Sequence, residues 1–108
     1  DPRLFKIPSV VQAELLLGAA KSNNPDTNRF FVEQFLLPFD ILPFDSRCAR
    51  EYVSIRSYLE KEGKKIGPNN LMIASIARAH NAVLVTHNMR EFKRVPGIEL
   101  EDWAEVVF

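Results

Sequence analysis

The chain has 108 residues, enough for one small domain. Its apolar fraction of 46 %, with eight Phe, supports a real core and excludes a disordered chain. Fourteen basic residues cancel fourteen acidic ones, which excludes a global positive field, so nucleic-acid binding would have to rest on a local basic patch.

A single cysteine, Cys48, excludes an internal disulfide and suits a reducing cytoplasm. No apolar run reaches membrane-spanning length, and Asp1-Pro2-Arg3 does not open a signal peptide. In chain order, Leu4-Phe5-Lys6-Ile7 predicts a short strand stopped by Pro8. Ser9 through Gln12 fits a capping box, with Ser9 as N-cap and a helix following to about Ala20. Asn23-Asn24-Pro25-Asp26 is a turn, and Thr27 to Leu37 predicts a second helix packed through Phe30, Phe31, Phe35 and Leu36, with its Phe residues read as core and a partner surface as the alternative.

Asp40 to Phe44 reads as a strand, edge-like because of Pro43. Asp45 or Ser46 then caps a third helix whose apolar stripe is Cys48, Tyr52, Ile55 and Leu59, and Gly63 ends it. The basic loop at Lys64 and Lys65 leads to Pro68, which suits the first turn of a fourth helix running to about His80. Met72, Ile73, Ile76 and Ala77 form the buried side of that helix. Ala82 to Thr86 is apolar without alternation, the pattern of a strand covered on both faces. Ile98 to Trp103 predicts a last short strand. The order is α/β, with fewer strands than a covered central strand requires.

Sites in open α/β sheets form at the carboxyl ends of strands, and three points are candidates here. Glu14 has Val10, Val11, Leu17 and Gly18 as helical neighbours. It is either a carboxylate held in a cleft or by a cation, or a solvent-facing residue on a narrow polar stripe. Asn70 shares a helix face with Ile73, Ala74 and Ala77. It either points into a cleft or satisfies free N–H groups at the helix start. Thr86-His87-Asn88 follows the best strand; His87 is a general base, a metal ligand or an ordinary loop residue. Without a Cys cluster a zinc site is disfavoured. Arg90, Lys93 and Arg94, with Lys64 and Lys65, form either a phosphate-binding rim or a solvated loop. No P-loop, nucleophile elbow or nucleophilic triad is present in the sequence.

Three stretches, taken together, carry a family resemblance. They are Val10-Val11-Gln12-Ala13-Glu14-Leu15 followed by Gly18; Ile66-Gly67-Pro68-Asn69-Asn70-Leu71-Met72-Ile73-Ala74; and Leu84-Val85-Thr86-His87-Asn88-Met89-Arg90-Glu91-Phe92, leading to Val95-Pro96-Gly97 and Glu101-Asp102-Trp103. In this order they resemble the PIN domain and, more narrowly, the VapC toxins. The resemblance implies an α/β fold with a central parallel sheet flanked by helices. It makes residues 1–108 a single PIN-like domain without the family's N-terminal strand, its Leu-Asp-Thr-Asn word and the helix after it. Loss of a central strand would leave two sheet edges to be covered.

The resemblance further implies an endoribonuclease toxin of a type II toxin–antitoxin system, cytoplasmic, homodimeric and held by a VapB-type antitoxin. Its acidic quartet would bind Mg²⁺ or Mn²⁺, which activates a water and neutralises charge on the phosphodiester. Glu14 takes the family's Glu position, Asn70 the usual Asp position, and Asn88 a fourth position where Asp or Asn is common. Thr86, Arg90, Lys64 and Lys65 are the candidate substrate-binding residues. Asn70 removes a negative charge from beside the dication, so activity should be impaired. Two other classes are weighed. A non-catalytic module would bind antitoxin or RNA without cutting. A flavodoxin-like signalling domain would need Asp45 as phosphoryl acceptor, after a strand that Pro43 makes edge-like.

Overall fold

A computed structural model describes residues 5–102, which form two compact units divided after Pro43. In the first, β1 (Lys6–Pro8) runs directly into α1 (Ser9–Ala20), followed by α2 (Pro25–Leu36) and β2 (Asp40–Leu42). β1 and β2 pair in parallel, with Lys6 opposite Asp40, Ile7 opposite Ile41 and Pro8 opposite Leu42. An ion pair of 2.6 Å between Lys6 Nζ and Asp40 Oδ2 marks the start of the ladder.

The expected Ser9 capping box does not form. Pro8, extended at φ −61° and ψ 141°, is the N-cap, and α1 has no side-chain cap. Proline's fixed φ lets the strand turn into the helix, which leaves Ser9 inside the first turn instead of ahead of it. Strand β1 includes Pro8 rather than stopping before it, and Leu4 lies outside the described residues. Helix α2 starts at Pro25, two residues earlier than the turn signal suggested, because proline suits the N1 position. The α1–α2 turn is tied by Ser22 Oγ, which donates to the Ala19 carbonyl at 2.6 Å and accepts from Asn28 Nδ2 at 2.8 Å.

The phenylalanines of α2 overturn a second expectation. Leu36 is buried, but Phe30, Phe31 and Phe35 are 57 %, 61 % and 58 % exposed. They pack locally instead: Phe30 against Phe31 edge-on at 5.9 Å, and Phe35 against Phe39 at 5.5 Å.

The second unit contains α3 (Ser46–Lys61), α4 (Pro68–Ala79), β3 (Val83–Val85), α5 (Met89–Phe92) and β4 (Glu99–Glu101). Along α3 the four-three-four spacing buries Cys48, Ile55 and Leu59 against α4, which contributes Leu71, Ile73, Ala74, Ile76 and Ala77. Met72, expected in this set, and Tyr52 are half-buried. Burial pushes the Cys48 thiol up, which suits a packing role. Beyond Glu62, Gly63 adopts φ +65°, the left-handed conformation that ends α3. Arg78 of α4 donates from Nε to Glu51 Oε2 at 2.5 Å and from a terminal nitrogen to the Pro96 carbonyl at 3.1 Å.

β3 and β4 pair in parallel, with Leu84 opposite Leu100, and Thr86 N–H extends the ladder to the Glu101 carbonyl. β3 is not covered on both faces: Val83 and Val85 are 44 % and 39 % exposed while Leu84 is half-buried. Among the described residues α4 packs on β3, leaving the Val83 and Val85 side open. The last strand is shorter than expected, and Trp103 lies outside the described residues. Among the described residues no helix is long and apolar enough to cross a membrane.

Asp45 is the N-cap of α3, its carboxylate accepting the Cys48 N–H at 3.1 Å. Hydrogen bonding from Cys48 holds this carboxyl below the usual aspartate range. A carboxyl lowered in the folded state stabilises the fold above the unfolded aspartate pKa, and that contribution is lost as pH falls through the folded value. Asp45→Asn keeps a cap acceptor that does not titrate. Below about pH 5 the melting temperature of the native chain should therefore fall more steeply than that of the variant. Equal slopes in acid circular-dichroism melts would contradict the assignment.

Candidate catalytic site

The carboxyl end of β3 leads through Thr86, His87 and Asn88 into α5. Asn88 is the N-cap of that short helix, and its side-chain oxygen accepts the Glu91 N–H at 3.4 Å. Its own N–H donates to Thr86 Oγ1 at 3.0 Å, so the Thr86 hydroxyl shapes the turn. Asn70 sits in the first turn of α4, half-buried.

These two amides meet at Glu91. Asn70 Nδ2 donates to Glu91 Oε2 at 3.2 Å, and Asn88 Nδ2 donates to the same oxygen at 3.0 Å. Glu91 Oε1 accepts the backbone N–H of Gly67 at 2.6 Å. Gly67 is the N-cap of α4, a helix with no side-chain cap of its own, so Glu91 satisfies one of its leading N–H groups. The Asn88 amide, the Gly67 N–H, the Asn70 amide and the Arg94 charge together hold the Glu91 carboxyl below its usual range.

Glu91 was not among the residues singled out from sequence. The signal was present, since Asn88 followed three residues later by Glu91 has capping-box spacing. The intervening Arg90 and the following Lys93 and Arg94 drew the reading toward a basic loop instead.

The remaining candidates divide. Glu14 lies in the first unit, exposed on α1, where Leu17 beside it is also exposed. Burial therefore supplies no argument for a cation there. Arg90 is exposed on α5. Lys64 and Lys65 are exposed and line, with Tyr52, Arg56 and Leu71, a surface cavity of about 310 Å³. Arg94 donates to the Lys65 carbonyl, which fastens this basic loop beside α5. His87 is exposed and pairs with Asp102 through Nδ1 at 3.2 Å.

The sequence profile of the PIN domain matches residues 5–98. The chain belongs to the PIN-domain family. Ribonuclease VapC2 of Rickettsia felis is 44 % identical to this PIN domain over 97 residues, covering 90 % of the chain and 72 % of the relative. The tRNA(fMet)-specific endonuclease VapC of Shigella flexneri is 41 % identical over 98 residues, covering 91 % and 74 %. Among solved structures, VapBC2 from Rickettsia felis bound to a promoter DNA fragment superposes with a TM-score of 0.87 at 44 % identity, covering 91 % of this chain and 74 % of that one. The likeness places this PIN domain in the VapC branch.

VapC nucleases of the PIN family generally depend on a divalent metal. The donor set where α4 meets α5 does not fit one as it stands. It offers one carboxylate, Glu91, whose two oxygens accept three N–H donors, and two neutral amides turned toward it. A hard dication wants oxygen donors and charge compensation. Among the described residues no group of three His, Cys, Asp or Glu could hold a metal ion.

Proposed function

We infer that this PIN domain is the ribonuclease toxin of a VapBC-type toxin–antitoxin pair. The observation that carries the reading is the family match across residues 5–98, which spans both compact units, at 44 % identity to a VapC ribonuclease. That span also supports treating residues 1–108 as one domain. The substrate class is RNA, and the relatives' names make tRNA the first one to assay. A VapB-type antitoxin is the proposed partner, supported by the VapBC complexes among its structural neighbours. We further propose a homodimer working in the cytoplasm, with Mg²⁺ or Mn²⁺ as the metal.

In this reading Glu14, Asn70 and Asn88 occupy the metal-site positions. Lys64, Lys65 and Arg90 hold RNA phosphates as local cations, in keeping with a chain of zero net charge. Thr86 orders the turn that presents Asn88. Asn70 keeps the shape of an aspartate but carries no charge, so activity is impaired.

The test is cleavage of bulk tRNA by the full-length protein with Mn²⁺, in the native and Asn70→Asp forms. EDTA-sensitive cleavage should appear, or rise sharply, in the Asp form. Equal activity in both forms would remove position 70 from the site. Absence of cleavage in both would favour the module that binds antitoxin or RNA without cutting.

A further inference from the structure

At the α4–α5 corner, an anionic carboxylate is closed over by the chain's own N–H groups. Glu91 accepts from Gly67, Asn70 and Asn88 at 2.6, 3.2 and 3.0 Å. The donors come from the cap of α4, its first turn and the cap of α5, so this one side chain ties the two helix starts together. Asn70 decides whether the tie can close. An aspartate in its place would set a second carboxylate oxygen about 3.2 Å from Glu91 Oε2. Two carboxylates at that distance repel unless a proton or cation lies between them. The amide instead presents a hydrogen-bond donor to the same oxygen.

We propose that Asn70, by donating to Glu91 where an aspartate would repel it, is the structural tie of this corner and makes the fold of the native chain independent of metal. The proposal rests on the reading of position 70 as a metal-site position. Its consequence is a reciprocal one: the charge that the Asn70→Asp change restores for metal binding also makes folding depend on the metal.

Thermal melts of the full-length protein in EDTA and in saturating Mn²⁺ test this, using the native chain, Asn70→Asp and Asn70→Ala. The native chain should melt at the same temperature in both. Asn70→Asp should melt lower than native in EDTA by roughly 5 °C, and Mn²⁺ should restore it, because a ligand that binds only the folded state raises its stability. Asn70→Ala, which loses the donor without adding charge, should melt lower than native and show no response to Mn²⁺. A native chain that Mn²⁺ stabilises as much as the Asp form would overturn the proposal and leave the metal-site reading intact. An Asp form that is weakened in EDTA but not rescued by Mn²⁺ would overturn both. An Asp form as stable as native in EDTA would overturn the proposal on its electrostatic premise.

Discussion

In the Asn70→Asp form of the full-length protein, Glu14→Gln should lower the rate of metal-dependent RNA cleavage by roughly 100-fold to 1,000-fold. That is the order expected when one fixed group is removed from the charge balance around a reacting phosphodiester. Gln keeps the shape and an oxygen donor while removing the negative charge, so the loss reports electrostatics and not packing. Glu14 is exposed on α1, and a substitution there should cost the fold at most about 0.5 kcal/mol. Cleavage assays paired with melts separate the two effects. Undiminished cleavage would take Glu14 out of the site and leave it the solvent-facing residue that its exposure alone suggests.

The largest effect on stability should come from Ile76→Ala. Ile76 has no exposed surface and lies on α4, the helix that packs against α3, where Ile55 is equally enclosed. Truncation removes apolar contacts and leaves a cavity, at an expected cost of about 2–5 kcal/mol. Domains of this size are stable by only about 5–15 kcal/mol, so much of the margin would go. Urea unfolding should show a lower midpoint with an unchanged slope. Phe31→Ala is the contrasting case. Phe31 is a larger side chain but 61 % exposed, and its loss should change stability by at most about 0.5 kcal/mol. Equal costs for the two would mean that the enclosed α3–α4 face is not the main core of its unit.

That contrast shows which features of the fold were legible in sequence. The stripe of Cys48, Ile55 and Leu59 was legible because helical spacing and burial coincide on α3, and Asp45 announced the start of that helix through its capping oxygen. The parallel α/β order followed from the alternation of segments. Phe30, Phe31 and Phe35 were misplaced because apolar character favours burial without guaranteeing it. The start of α1 was misread because Pro8 caps by backbone geometry, which leaves no side-chain signature. At β3, a continuous apolar run suggested cover on both faces, yet Val83 and Val85 are exposed.

The candidate site was legible in part. Asn70 and Asn88 emerged from the family's characteristic words, and the structure gives them a shared partner. That partner, Glu91, was hidden within a run of cations whose charges dominate the local composition. What connects the three is a tertiary contact across more than twenty positions, which no local pattern encodes.

The central proposal is that Glu14 and Asn70 hold metal-site positions of the PIN family, and calorimetric titration of Mn²⁺ tests it most directly. Four forms of the full-length protein suffice: native, Asn70→Asp, Glu14→Gln and the double variant. Binding should be tight only in Asn70→Asp, and Glu14→Gln should abolish that gain. Tight binding that survives Glu14→Gln, or that the native chain already shows, would contradict the account.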